Sequence, residues 1–231
     1  MIHLKTRARE RTCASQRRSV LSLPIFCTSL MLLSCVSQAY RTHPDLELRA
    51  RHLYTIGLMP SDLRIYEVSG LRLVELRDDW SAAGTENVMN AVIGALKEKG
   101  YSIKPIKVDE EIEEEIEEID ALYRSVHKSI RLHTYGPQLF PEKSKDFQYS
   151  LGSIEKILQK SGTDSLLFVR GVDKVLNARE EAVVSVALAD ASGAILWYCA
   201  KVYKGDRGLR DAKTAAGFVE AILASFPELS G

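Results

Sequence analysis

The chain has 231 residues, with 31 basic and 31 acidic side chains and a formal net charge of zero. Its length suits one domain with short appendages. The first 34 residues hold six of the basic residues and one of the acidic ones, so the remainder has 25 basic and 30 acidic residues and a net charge of −5. This balance excludes a typical nucleic-acid-binding protein, because phosphate contacts need clustered lysine and arginine.

Residues 1–34 have the pattern of a secretory signal peptide, in which a basic leader precedes a short apolar segment and a small residue. The apolar segment, Val20 to Leu33, is interrupted by Pro24 and is shorter than the roughly 20 residues that span a bilayer as a helix. Ser34 stands directly before Cys35. We therefore predict cleavage between Ser34 and Cys35, with a permanent transmembrane helix as the alternative.

The four residues Leu32-Leu33-Ser34-Cys35 resemble the lipobox of bacterial lipoproteins. This resemblance implies that Cys35 carries a diacylglyceryl group and, on its amine, a fatty acyl group such as palmitate. Two or more such chains give stable attachment, since each buried CH₂ contributes about 0.8 kcal/mol. Val36 follows, rather than the aspartate that retains enterobacterial lipoproteins in the inner membrane. The resemblance thus implies a lipid anchor in the outer membrane, facing the periplasm, with residues 35–52 as a polar tether.

Four cysteines occur in the chain, and their positions argue against a disulfide. Cys13 and Cys27 lie in the predicted signal peptide, and Cys35 is the predicted lipid site. Cys199 is then alone, so no intramolecular disulfide can form even in an oxidising compartment. We expect Cys199 to be a small buried hydrophobic residue.

We predict that residues 53–231 form one periplasmic domain of the α/β (α+β) class. It has a mixed sheet of about five strands with helices packed on it, and it ends in a β-hairpin followed by a helix. Apolar residues at consecutive positions from Leu166 to Val169 indicate an interior strand buried on both faces. Arg170 follows, either as an ion-paired residue at the strand end or as a site residue. The predicted strands are 53–60, 62–69 (an edge strand or an arm), 101–108, 165–173, 180–190 and 194–204, with a turn at Asp190–Gly193. The predicted helices are 71–99, 109–135, 150–161 and a last helix from the N-cap Asp211 to Pro227.

The predicted helix 109–135 has the most regular pattern in the chain. Apolar residues recur at alternating steps of four and three and form a heptad-like seam: Ile112, Ile116, Ile119, Tyr123, Val126 and Ile130. Its first turns are almost entirely acidic, which complements the helix dipole. Two interpretations are open: a solvated helix face packed on the sheet, or an arm that binds a basic partner or pairs with a second copy. The candidate partner-binding residues are Glu111, Glu114, Glu115 and Glu118.

We predict a loop at residues 136–149. It begins at Gly136-Pro137 and contains four large apolar or aromatic residues. Phe140 and Phe147 are its candidate contact residues. They either clamp the loop onto the domain or form part of a partner surface.

Three short segments carry a resemblance to a known group of proteins: Thr55–Pro60 opening the domain, Ser165–Val169 as the interior strand, and Asp190–Trp197 across the hairpin. Together with the lipobox, they look like the envelope lipoproteins that share the α/β domain of the curli-secretion protein CsgG, the penicillin-binding-protein activator LpoB and the N-terminal domain of TolB. The likeness covers most of residues 53–226 in layout only. It implies an assembly factor or activator, and no contact residue carries over from it.

The motifs of common enzymes and metal sites are missing: H-E-x-x-H, G-x-S-x-G, Walker A and C-x-x-C. The glutamate run lacks the alternating ligands and glycine of an EF-hand loop. His127 and His133 lie six residues apart on one helix and would face different directions. We therefore expect no metal, no cofactor and no catalysis, but an accessory or assembly lipoprotein that binds envelope proteins. A cell-wall-active enzyme and a lipoprotein that binds a small ligand or an ion are the alternatives.

Overall fold

The computed structural model describes residues 40–70, 73–135, 146–177 and 179–229. Its strands are β1 (Tyr40–Thr42), β2 (Thr55–Leu58), β3 (Asp62–Val68), β4 (Val74–Leu76), β5 (Ser102–Pro105), β6 (Ser165–Leu176), β7 (Arg179–Asp190) and β8 (Ile195–Gly205). Its helices are α1 (Leu46–Ala50), α2 (Asp78–Glu98), α3 (Glu113–Thr134), α4 (Glu155–Ser161) and α5 (Ala212–Leu223).

The eight strands form one mixed sheet. Six of them follow the order β1-β8-β7-β6-β2-β5, and the other two lie off this path, with β3 paired to β6 and β4 paired to β3. The long strand β6 is its centre. It pairs antiparallel with β7 along its whole length. On its other side it pairs in parallel first with β2, up to Leu58↔Leu167, and then with β3, from Asp62↔Arg170 onwards. The predicted α/β class with a mixed sheet is confirmed, although the sheet has eight strands rather than about five.

Helices cover the sheet on two sides and enclose two apolar cores. The core on the side of α2 and α5 includes Val88, Val92, Trp197, Cys199 and Val219. The core on the side of α3 and α4 includes Ile116, Tyr123, Phe168, Tyr198 and Ala200. Neighbouring residues of β8 thus enter opposite cores, as alternation along a strand requires. Cys199 is buried with its thiol free, in agreement with the prediction.

The β7–β8 hairpin keeps the predicted turn. Asp190 Oδ1 accepts hydrogen bonds from the backbone N–H groups of Ser192 (3.0 Å) and Ala194 (3.2 Å). Gly193 has a φ of +75°, a conformation that glycine adopts without steric cost. A bulge at Leu188/Ala189 changes the alternation, so Leu196 and Tyr198, two positions apart on β8, lie in different cores.

Two predicted helices begin later than expected. Residues 74–76 form β4, antiparallel to β3, and α2 starts only at Asp78. The three-residue step from Leu73 to Leu76 resembles a helical stripe, but both side chains are exposed. Because β4 pairs with its outer side, β3 is not an edge strand. In the second case Ser150 bridges to Ala194 on the hairpin, and α4 starts at Glu155 instead of Ser150.

The segment predicted as a polar tether is structured from Tyr40 onwards. β1 pairs antiparallel with β8, through Tyr40↔Cys199 to Thr42↔Trp197. In α1, the Arg49 guanidinium donates to Asp190 Oδ2 at 2.7 Å. The prediction of a tether is therefore wrong for residues 40–50, because backbone pairing to β8 outweighs their polar composition. Residues 35–39 and the signal peptide lie outside the described residues.

Candidate functional site

The apolar seam of α3 packs against the sheet, as the heptad-like spacing predicts. Ile116, Ile119, Tyr123 and Ile130 are buried, and Tyr123 stacks on Phe168 of β6 with ring centroids 4.3 Å apart. The helix begins at Glu113, so the first acids of the run precede it. The solvated-face interpretation is correct for the packing of α3, and its acidic residues lie outside the seam.

The four glutamates proposed to bind a partner fall into two pairs. The Lys160 ammonium donates to Glu111 and the Lys156 ammonium donates to Glu115. These two acids therefore connect α3, and the residues directly before it, to α4. Glu114 and Glu118 are exposed and line an acidic groove of about 1010 Å³ beside the β2–β3 connection. Their binding of a partner stays a prediction.

Phe147 is buried in the core on the α3 side, which fits a loop that clamps onto the domain. The Arg41 guanidinium lies 5.7 Å from its ring centroid, and the hydroxyl of nearby Tyr149 is 3.0 Å from His133 Nδ1. Phe147 therefore serves packing in this structure. Phe140, Ser34 and Cys35 lie outside the described residues.

One end of the sheet, which we call the open face, presents apolar side chains to solvent. Paired residues on neighbouring strands point to the same side of a sheet. Beyond α3, three rows of such residues cross strands β3, β4, β6, β7 and β8. The first row is Arg64, Val172, Val183 and Val202; the second is Leu76, Tyr66, Lys174, Glu181 and Lys204; the third is Val74, Val68, Leu176 and Arg179.

The two outer rows of the open face are mainly apolar, and its charged side chains, which are mainly basic, lie in the middle row and at the row ends. Five of its apolar side chains are exposed by between 40% (Val172) and 59% (Val74), and Tyr66, Val68 and Val183 are half-buried. Its charged residues are four basic side chains, Arg64, Lys174, Lys204 and Arg179, and one acid, Glu181. Val68, Val74 and Leu176 line a groove of about 1010 Å³ at its far end. This face was not predicted from the sequence. The alternation of Val172, Lys174 and Leu176 with buried neighbours is the pattern of a half-buried strand and could have indicated it.

A small basic cavity of about 280 Å³ lies where α3 meets the open face. Arg124, His127 and Arg131, at helical steps of three and four, form its helix wall, and Arg64, Arg170 and Ser185 belong to its sheet floor. Arg170 donates to Asp62 and, at 3.0 Å, to Asp120 Oδ1. Arg170 is ion-paired, as the first interpretation holds, but it lies in the middle of β6 and not at its end. Its role as a site residue stays a prediction.

His127 is the half-buried titratable group of this cavity. Burial is the main cause that lowers its pKa to about 4, and the neighbouring cations Arg131, Arg170 and Lys128 contribute to the same shift. Its Nδ1 lies 3.4 Å from Ser185 Oγ and 3.2 Å from the Tyr198 hydroxyl. A serine beside a histidine suggests a nucleophile and its base, but Ser185 is buried and a ring with this pKa is a weak base.

A second cluster of titratable groups is buried on the opposite side of the sheet. Asp173 and Glu180 lie under Gly208, whose Cα hydrogen faces both carboxylates so closely that a Cβ there would meet Glu180 Oε2 at 1.5 Å. The Arg210 guanidinium donates to Glu180 Oε1 at 2.5 Å and stacks on Trp80, 4.0 Å from its ring centroid. Burial raises the pKa of Asp173 to about 6. The carboxyl groups of Asp173 and Glu180 are buried. We therefore assign this cluster an effect on the stability of the fold and not a role in ligand binding.

Within the described ranges, no group of three or more histidine, cysteine, aspartate or glutamate side chains is arranged to hold a metal ion. In the same part of the chain, no helix is both long and apolar enough to cross a bilayer.

The chain matches no family model and no curated protein sequence. Among solved structures it is similar to the lipoprotein GNA1162 from Neisseria meningitidis, with 15% identity and a TM-score of 0.34, over 75% of this chain and 99% of that one. It is also similar to the LpoB C-terminal domain from Salmonella enterica, with 14% identity and a TM-score of 0.27, over 65% of this chain and 83% of that one. The second match agrees with the layout resemblance drawn from the sequence, and both are likenesses of layout alone.

Proposed function

We propose that the protein is a non-catalytic accessory lipoprotein, anchored through Cys35 in the outer membrane, that binds another envelope protein through its open face. The anchor part of the proposal depends on the lipobox at Leu32–Cys35 and on the signal-like leader before it. Cleavage between Ser34 and Cys35 would remove the leader, and the lipidated Cys35 would leave the folded domain facing the periplasm.

The open face is the single observation that carries the binding part. Apolar side chains of β4, β6 and β8 remain exposed there, with half-buried ones of β3 and β7 between them, and contiguous apolar patches on soluble domains mark interaction sites. Valines on a rigid sheet lose little side-chain entropy when they are covered, since one χ1 rotamer is already preferred. Packing a partner on these rows removes their apolar surface from water.

The charges around the open face specify the chemistry of the partner. Four basic side chains against one acid favour a segment that carries both apolar and acidic side chains. We assign this occupant to another envelope protein. A second copy of the chain is the rival occupant, since its own α3 carries an acidic half.

Photocrosslinking in cells tests the proposal. A photoreactive residue replaces Val202 on the open face, and the matched control replaces Leu132, which is apolar, 65% exposed and located on α3. We expect a discrete adduct with an envelope protein from position 202 and none from position 132. The added substitution Val172→Asp should weaken the adduct, because it replaces apolar surface that the partner would cover with a carboxylate that must lose its water.

Three results would count against this function. Equal adducts from positions 202 and 132 would show non-specific proximity, and no adduct from either would leave the open face without an occupant. An adduct of twice the chain's mass alone would assign the face to self-association.

A further inference from the structure

We propose that the basic cavity between α3 and the open face binds a phosphate dianion, either free phosphate or the phosphomonoester of a larger molecule. The proposal does not depend on the accessory function, since it concerns a small cavity and needs no protein partner.

The side chains around the cavity form a chain of alternating charge that begins and ends on arginine. Arg64 Nε donates to Asp62 Oδ1 at 2.8 Å, and the other oxygen of Asp62 accepts from Arg170. Arg170 continues to Asp120, whose second oxygen lies 3.7 Å from an Arg124 nitrogen. Three guanidinium groups against two carboxylates leave one positive charge in excess.

Arg131 adds a second positive charge to the cavity wall. It forms no ion pair with another residue in the described part of the chain, and its position seven residues after Arg124 places both on one stripe of the helix. His127 lies between them and stays neutral near pH 7, since its pKa is about 4. The cavity therefore carries an excess of two positive charges, held by side chains that cannot be deprotonated.

This charge and the shape of the donors favour phosphate over carboxylate. A phosphate monoester carries a charge of about −1.5 to −2 at pH 7 and presents three strong acceptor oxygens, which matches the excess. A carboxylate supplies one charge and two oxygens, and Asp62 already fills that role between Arg64 and Arg170. Arginine forks bind phosphate with directed, charge-assisted hydrogen bonds.

The volume of the cavity sets the size of the bound group. At about 280 Å³ it lies just below the roughly 300–1,000 Å³ of pockets that enclose drug-sized ligands. It therefore suits a phosphate ion or a terminal phosphate group, while the rest of a larger molecule would extend over the open face.

Calorimetric titration of the full chain in detergent tests the proposal with two probes, inorganic phosphate and water-soluble dihexanoyl phosphatidic acid. Binding of inorganic phosphate would show that a free ion suffices. Binding of phosphatidic acid alone would identify a lipid headgroup as the source. In both cases Arg124→Gln and Arg131→Gln should each weaken binding about tenfold, because each removes a charge-assisted hydrogen bond. Lys128→Gln, on the exposed side of the same helix, is the matched control and should not change the affinity.

The imidazole signals of His127 provide a second readout that a purely structural role of the arginines would not give. A bound dianion should raise the pKa of His127, and Arg131→Gln should raise it without ligand, because Arg131 contributes to lowering it. The proposal is overturned if neither probe binds, if acetate binds as tightly as phosphate, or if the arginine variants and Lys128→Gln have the same affinity.

Discussion

At the residue scale, the most unusual group in the molecule is the carboxyl of Asp173. One of its oxygens accepts from the backbone N–H of Leu209 at 3.3 Å, and the other has no hydrogen-bond partner among the described residues. Burial is the main cause of its raised pKa, and the negative charge of Glu180 adds to the effect. Ionised Asp173 therefore destabilises the folded domain at neutral pH.

The substitution Asp173→Asn is expected to stabilise the protein at pH 8 by about 1–2 kcal/mol, since it removes a buried charge and keeps an acceptor for Leu209. Asp173 ionises near pH 4 in the unfolded chain and near pH 6 in the folded one. Between these two pH values the folded state binds more protons than the unfolded state. The contribution of Asp173 to the free energy of unfolding of the wild type therefore falls as pH rises from about 4 to 6. Urea unfolding followed by tryptophan fluorescence measures the difference at pH 4.5, near the lower end of this interval, and at pH 8, about two units above its upper end.

Asp206→Asn, in the exposed loop next to the cluster, is the control and should have wild-type stability at both pH values. His127 acts in the opposite direction, because its folded pKa is below the unfolded one, so its contribution to stability rises with pH from about 4 to 6.5. In Asp173→Asn the free energy of unfolding should therefore rise more steeply with pH than in the wild type. A variant that is less stable at pH 8, or has an unchanged pH dependence, would contradict the assignment.

At the element scale, α3 organises one side of the sheet, and its apolar spacing predicted this packing correctly. Ile119→Ala is expected to lower the free energy of unfolding by about 2–4 kcal/mol, because it leaves a cavity under a fully packed helix. Leu122→Ala, on the same helix but 42% exposed, should cost much less. Urea unfolding of the two variants provides the comparison. Similar losses would show that α3 is not held by this seam.

The same helix shows why other elements could not be predicted from the sequence. The spacing of Ile116 and Ile119 decides which side of α3 is buried, since period alone fixes the face of a helix. The three-residue step of Leu73 and Leu76 has the same period, yet these residues form part of a strand pair with β3. β4 follows β3 closely in sequence, but β3 is held by its pairing with the distant strand β6. Such tertiary pairing overrides local periodicity in short segments.

The candidate site was predictable only in part for the same reason. Arg170 stood out as a charged residue after an apolar strand, and the structure places it on the floor of the basic cavity. Arg64, Arg124 and Arg131 come from two elements that are distant in sequence, so their convergence needed the register of β3 with β6 and the crossing of α3. The rows of the open face likewise exist only once five strands are in register.

At the scale of the whole molecule, the proposed anchor and the open face have complementary roles, since one would attach the domain to the membrane and the other would bind a partner. A lipid on Cys35 would hold the domain at a membrane surface, and the open face and basic cavity would then meet partners and anions in the periplasm. The net charge of −5 after the leader does not oppose this arrangement, because four basic side chains lie on the open face and three more arginines line the basic cavity.

The mass of the mature N-terminal peptide, taken from detergent-solubilised membranes, tests the central claim most directly. We expect a chain that begins at Cys35, with a diacylglyceryl group on its sulfur and a fatty acyl group on its amine, and we expect Cys35→Ala to lose both the cleavage and the membrane attachment. A peptide that contains residues before Cys35, or an unmodified Cys35, would contradict the anchor and with it the envelope function.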